Sequence, residues 1–173
     1  MSGRPPAEPY PPDLDDDARP VARLEALVDV VAENADWANA SARGLVTSRA
    51  ALRRCRFTGA ELAEAHITDT TFDECRLDLA GMRMARLERV AFRDCRMSEC
   101  DLYDATLMDV LFERCELGEA TFTGARLERV EMVGCDLTGL EGPEALRGVR
   151  MRWDDVVRNA SLLAAALAIE IVE

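Results

Sequence analysis

The residues that first invite a chemical reading are the cysteines, because five of the six, Cys55, Cys75, Cys95, Cys115 and Cys135, recur at intervals of twenty. Thiols brought close in a coiled chain suggest a disulfide, a redox pair or a metal site. Side chains stacked in register point the same way rather than at one another, which disfavours disulfide geometry. No C-x-x-C pair occurs, and zinc wants four converging ligands. These residues read instead as small hydrophobes whose burial keeps the thiol protonated and inert. His66, the single histidine, is expected in an outward slot beside Ile67; Asp69 is near, but no nucleophile is placed to complete a triad. Asp73-Glu74, and Glu113 opposite Arg93, read as a charged wall with cross-coil ion pairs of small worth, and no Gly-rich phosphate loop is present. No catalytic, cofactor-binding or metal-ligating residue is assigned, no cofactor is expected, and the chain is read as non-enzymatic.

A row of arginines is a better candidate for binding. Arg56, Arg76 and Arg96 each precede a large apolar residue on the cysteine side, and the same position then becomes Glu116 and Asp136. Arginines stacked at the ~4.8 Å spacing of parallel strands repel unless acids or a bound anion compensate. Asp78 and Glu99 can supply part of that, and a partner can supply the rest. Outward apolar residues Leu79, Met84, Tyr103, Met108 and Leu111 are scattered and need no explanation.

The element that must position these residues shows as a repeat. Stepping by five from Leu52 gives Phe57, Leu62, Ile67, Phe72, Leu77, Met82, Leu87, Phe92 and so on to Leu137, eighteen large apolar residues without a break. Two residues before each stands a small one, from Ala50 and Cys55 through Cys135, and the other three positions are mostly polar. A period of five is neither the 3.6 of a helix nor the 2.0 of a flat strand. It describes a chain that turns a corner every five residues with two inward side chains per side. A second period lies over the first: the cysteines, the valines Val90, Val110 and Val130, and the phenylalanines Phe72, Phe92 and Phe112 each repeat every twenty. Four sides therefore close one coil, and equivalent residues stack coil upon coil. The hexapeptide Ala-Arg-Leu-Glu-Arg-Val occurs at 85–90 and again at 125–130, two coils apart.

The segments Ala60-Glu61-Leu62, Cys75-Arg76-Leu77, Cys100-Asp101-Leu102 and Cys135-Asp136-Leu137 resemble the A-(D/N)-L-x-x unit of the pentapeptide repeat family. The resemblance covers Ala50 to Gly139 and extends upstream through Trp37, Ala42 and Thr47, with the large position degraded to Ala and Thr. It implies an all-β solenoid, a right-handed quadrilateral β-helix of pentapeptide repeats, here with a C-terminal capping helix. Four segments follow. Residues 1–20, with six of the seven prolines and the run Asp15-Asp16-Asp17, read as a disordered tail. Residues 21–34 form an N-terminal cap, by helical spacing of Leu24, Leu27, Val28 and Val31, or a partial coil. Residues 35–153 are the β-helix. Residues 154–173 have helical spacing with Asp154 or Asp155 as N-cap, ending in a short extended piece at Ile169-Glu170-Ile171-Val172; they cap the open end or dimerise.

Composition narrows the function. The chain has 173 residues, 49% of them apolar, enough for one domain with tails, and only nine aromatic residues to fill it. Its net charge of −12 argues against direct nucleic-acid binding or an anionic membrane surface. No long apolar stretch or signal segment is visible, so a cytoplasmic protein with free thiols is expected. All twenty-one basic residues are arginine. The reading that results is a non-catalytic protein-binding or scaffolding module with an unknown protein partner, with a homodimer through the C-terminal segment as a further option. The alternative rests on resemblance alone: some members of the family are similar to B-form DNA in shape and charge and bind gyrase, a topoisomerase, in its place. Residues 35–139 carry nineteen acids and fourteen arginines, net −5. Duplex DNA would carry roughly fifteen charges over the same ~25 Å, which weighs against mimicry.

Overall fold

A backbone that bends every five residues needs a corner conformation every five residues, and the computed structural model, which describes residues 4–13, 24, 26–170 and 172, supplies it. From Asp29 to Gly139, every fifth residue has a positive φ, twenty-three in succession. Only five of these are glycine and eleven are Arg, Glu, Leu or Met, for which the left-handed region costs ~1 kcal/mol each. The backbone compensates. Arg54 N–H, for example, donates to Asp73 O at 2.9 Å and Glu64 N–H to Arg83 O at 2.8 Å, each tying a corner to the next coil. On two sides of the square the corner is also a β-turn, as where Ala60 N–H meets Phe57 O at 2.9 Å across Gly59.

The coils stack as a β-solenoid of about six turns. Its strands are β1 (Leu27–Glu33), β2 (Val46–Arg53), β3 (His66–Asp73), β4 (Arg86–Arg93) and β5 (Thr106–Glu113), followed by the split pair β6 (Arg126–Glu128) and β7 (Glu131–Val133), and β8 (Arg150–Met151). All pair in parallel, with partners twenty residues apart through β7. β8 pairs with β7 at a separation of nineteen, Met132 with Met151, so the final coil is one residue short, and Leu146 and Met151 fall one residue ahead of the five-step that ends at Leu137. Residues 27–33 are thus a strand of a partial coil, not helical turns. Asp29 already occupies a corner, and pairing with β2 satisfies the backbone of this short segment better than an isolated turn of helix would.

Inside the tube lie the residues of the five-step pattern. Phe72, Phe92 and Phe112 stack with ring centroids 4.8 and 5.1 Å apart and nearly parallel planes. Trp37 and Phe57 extend the aromatic column at one end and Phe122 at the other. The polar residues Thr47 and Thr70, both buried, hydrogen-bond hydroxyl to hydroxyl at 2.9 Å, and Thr70 Oγ1 donates onward to Thr68 O at 2.8 Å, so the degraded position is satisfied internally.

At the C-terminal end a 3-10 turn (Pro143–Leu146) precedes α1 (Trp153–Arg158) and α2 (Ala160–Ala166). Leu162 and Leu163 of α2 pack on the core. The expected helix capping by Asp154 or Asp155 does not occur: Arg152 is the N-cap and makes no side-chain bond. Asp155, buried, instead accepts Gly134 N–H at 3.0 Å. In lower coils this donor has a carbonyl above it, as Arg114 N–H has Val133 O. At the last coil no carbonyl follows, and the Asp155 carboxylate takes its place. After the left-handed Ala168 no strand forms at Ile169, and Ile171 lies outside the described residues.

Two outcomes follow. Phe92→Ala, which opens a void inside the stack, is expected to cost ~3–5 kcal/mol in urea unfolding; a loss under 1 kcal/mol would contradict the packing described. Asp155→Ala should cost ~1–3 kcal/mol and speed hydrogen exchange at Gly134, whereas Asp155→Asn, which keeps an acceptor, should lose less.

Candidate functional site

Because each side repeats at twenty residues, outward positions form straight rows, and a row is the natural unit of a site here. Parallel bridges join Asp36, Arg56, Arg76, Arg96, Glu116 and Asp136 in one such row. The three arginines are brought together and all are exposed. Arg56 pairs with Asp36 at 3.6 Å, while Arg96 pairs with Asp78 at 3.7 Å and Glu116 at 3.3 Å. Between them Arg76 makes no ion pair among the described residues. Arg56, Arg76 and Arg54 face Asn34, Asp36 and Glu74 across a shallow depression. Asp78 Oδ1 is buried without a hydrogen-bond partner among the described residues. What this row offers is a line of guanidinium groups in fixed register, two neutralised at the ends and one open in the middle.

Behind the row lies the cysteine stack. All six thiols are free and buried. Each member of the twenty-residue series donates to a carbonyl of the preceding coil, Cys75 to Leu52 O at 3.4 Å, Cys95 to Phe72 O at 3.2 Å and Cys115 to Phe92 O at 3.4 Å. Cysteine is therefore more than a small hydrophobe at this position. Hydrogen bonds between neighbouring thiols push Cys55, Cys95 and Cys135 up and Cys75 and Cys115 down, while burial opposes ionisation at all six and pushes Cys100, outside that series, up to about 12. Burial of this kind disfavours a reactive thiolate.

A second row was not singled out from the sequence. The corner positions Asp29, Arg49, Asp69, Arg89, Asp109 and Arg129 alternate in sign up the tube. Arg89 grips Asp69 with two nitrogens at 2.6 and 2.9 Å, Arg129 grips Asp109 at 2.7 and 2.8 Å, and Arg49 pairs with Asp29. One corner on, Arg114 holds Asp94 at 2.7 Å through both contacts. The sequence signal was present: the hexapeptide recurring two coils apart contains Arg89 and Arg129. Asp69, committed to Arg89, is not the partner of His66, which is exposed.

Along this row runs the N-terminal segment. Residues 4–13, expected to be disordered, lie against the wall, with Ala7 N–H on Asp109 at 3.1 Å, Tyr10 N–H on Asp69 at 3.3 Å and Asp13 N–H on Asp29 at 3.0 Å. Proline keeps such a stretch extended and lowers the entropy lost on docking. The rest of the tail, including Asp15-Asp16-Asp17, lies outside the described residues.

The acids of these rows titrate low. Burial opposes ionisation of Asp69, but hydrogen bonds from Arg89 and Tyr10 N–H and the charges of Arg89 and Arg49 outweigh it. Arg129 and Ala7 N–H lower Asp109 against burial; Arg49 and Asp13 N–H lower Asp29; Arg114 lowers Asp94. A folded value below the ~3.9 of an unfolded Asp means that the stabilisation is fully present above that value and is lost as pH falls through the folded one. The urea midpoint should be level from pH 7 to pH 5 and drop below pH 4; an unchanged midpoint at pH 3 would contradict these pairings.

Residues 47–122 match the family model described as a pentapeptide repeat region. A search of the curated proteins finds no match. Among solved structures the chain is similar to QnrB1, a plasmid-mediated fluoroquinolone resistance protein, at 20% identity, covering 92% of this chain and 96% of that one with a TM-score of 0.37. It is similar to HetL, a pentapeptide repeat protein involved in heterocyst differentiation regulation from the cyanobacterium Nostoc sp. strain PCC 7120, at 18% identity over 65% and 70% of the chains, TM-score 0.34. A pentapeptide repeat protein from the Arabidopsis thaliana thylakoid lumen matches at 18% identity over 85% and 90%, TM-score 0.34. The unbroken five-residue repeat and the square coil thus coincide, over residues 47–122, with what the family model describes as a pentapeptide repeat region.

Proposed function

We propose that this protein is a non-catalytic protein-binding module whose cysteine-side wall engages a protein partner through Arg56, Arg76 and Arg96. The observation that carries the reading is the exposed arginine row, in bridge register, with Arg76 open between two paired neighbours. Three guanidiniums on a rigid grid suit an acidic, extended segment of a partner, since a carboxylate spaced at the strand repeat can bind a guanidinium bidentately. A rigid wall loses little entropy on binding, which favours recognition by fixed side chains. Homodimerisation through residues 154–173 is a further option: Val157, Leu167 and Ile169 remain exposed there, as does Trp153 just before them. No helix among the described residues is long and apolar enough to cross a membrane.

The gyrase-directed alternative has the charge balance against it. Ion pairs on the corner rows neutralise acids that a DNA mimic would present. Affinity capture with wild type and with the Arg56→Gln, Arg76→Gln, Arg96→Gln triple variant separates the readings. A partner held by wild type and reduced at least tenfold by the variant is expected; identical capture by both would sink the arginine wall. In a supercoiling assay with fluoroquinolone no protection is expected, and protection at micromolar protein would favour mimicry.

A further inference from the structure

The corner row that holds residues 4–13 has a spacing of its own. Because acids and arginines alternate, the acceptors Asp29, Asp69 and Asp109 stand two coils apart, or ~9.6 Å at the strand spacing. The donors Asp13, Tyr10 and Ala7 stand three residues apart. A polyproline helix has three residues per turn and rises ~3.1 Å per residue, so every third N–H faces the same way at ~9.3 Å intervals. The two repeats agree.

The tail sequence is arranged for that register. Arg4, Ala7, Tyr10 and Asp13 share one face of a three-residue turn, and none is proline. Pro5, Pro6, Pro9, Pro11 and Pro12 fill only the other two faces, where no donor is needed. Side chains support the contact. The Arg89 guanidinium lies 5.8 Å from the Tyr10 ring centroid, and Ala91, in an outward slot of β4, is 1% exposed beside a cavity lined by Pro5, Pro6, Pro9 and Leu111. We propose that the Asp29, Asp69 and Asp109 row is a binding track for a polyproline-type peptide of a partner, one with a free N–H on every third residue and prolines between, and that residues 4–13 occupy the track in cis as a competing internal ligand. The track lies on a different edge of the tube from the arginine row, so the two assignments stand or fall separately.

The test uses the full chain. Ala7→Pro with Tyr10→Pro removes two of the three tail donors while keeping the segment extended and leaving the core untouched. A fluorescent, end-blocked peptide of residues 4–13 is titrated by anisotropy into wild type and into this variant. The variant should bind the peptide at least tenfold more tightly, because in wild type the tethered segment competes at an effective concentration on the order of millimolar. A peptide N-methylated at Ala7 and Tyr10 should bind the variant at least tenfold more weakly. Absence of peptide binding to the variant, equal affinity for the two proteins, or indifference to N-methylation would each overturn the proposal. A wild-type dimer that the double-proline variant fails to form would assign the track to a second copy and overturn it as well.

Discussion

Every fifth residue from Asp29 to Gly139 turns the chain at positive φ, corners such as Arg54 and Glu64 send their N–H into the neighbouring coil, and the length of each side, the parallel stacking and the repeat of twenty follow from that. The conformation is costly for the arginines, glutamates, Leu79 and Met84 found there. It persists because the coil above offers corners such as Leu79 and Met84 a carbonyl at hydrogen-bond distance, so the cost of such a corner is offset only when the neighbouring coil is in place. Stability in such a tube belongs to pairs of coils rather than to single ones. The same dependence explains why the ends need special treatment. Asp155 supplies an acceptor where the series of carbonyls stops.

Regular stacking turns the outside of the tube into rows, and rows make charge patterning a geometric matter. Residues twenty apart sit side by side, so alternation of Asp and Arg at a corner produces paired neighbours, while a run of arginines produces an unpaired one. The bidentate contacts at Asp69, Asp94 and Asp109 need a planar fork, which lysine lacks. At these positions the exclusive use of arginine has a structural consequence. Two edges of one tube thereby acquire different characters, one neutralised and covered by the proline-rich segment, the other carrying Arg76 open between paired neighbours.

The core was legible because it obeys one short period. Phe72, Phe92 and Phe112 stack as their spacing requires, and the missing residue of the last coil shows in the displaced phase of Leu146 and Met151. The arginine row was legible for the same reason. The cysteine hydrogen bonds were not, since composition reports a thiol's size and hides what lies above it. Residues 27–33 were ambiguous because Leu24, Leu27, Val28 and Val31 satisfy helical spacing while Val30 and Ala32 satisfy the pentamer; pairing with β2 decided between them. Asp155 looked like a helix cap because caps are local, and it serves a distant coil instead.

Period and phase, read along the chain, determined the square coil, the inward set and which side chains share a row. Those properties depend only on spacing, and spacing is written in the order of residues. The tertiary structure alone decided which row would receive the tail and which donor would receive Asp155. Both contacts join segments far apart in the chain, 102 residues between Ala7 and Asp109, and no local rule connects a proline-rich stretch to a row of corner carboxylates until the coils have stacked and set their repeat.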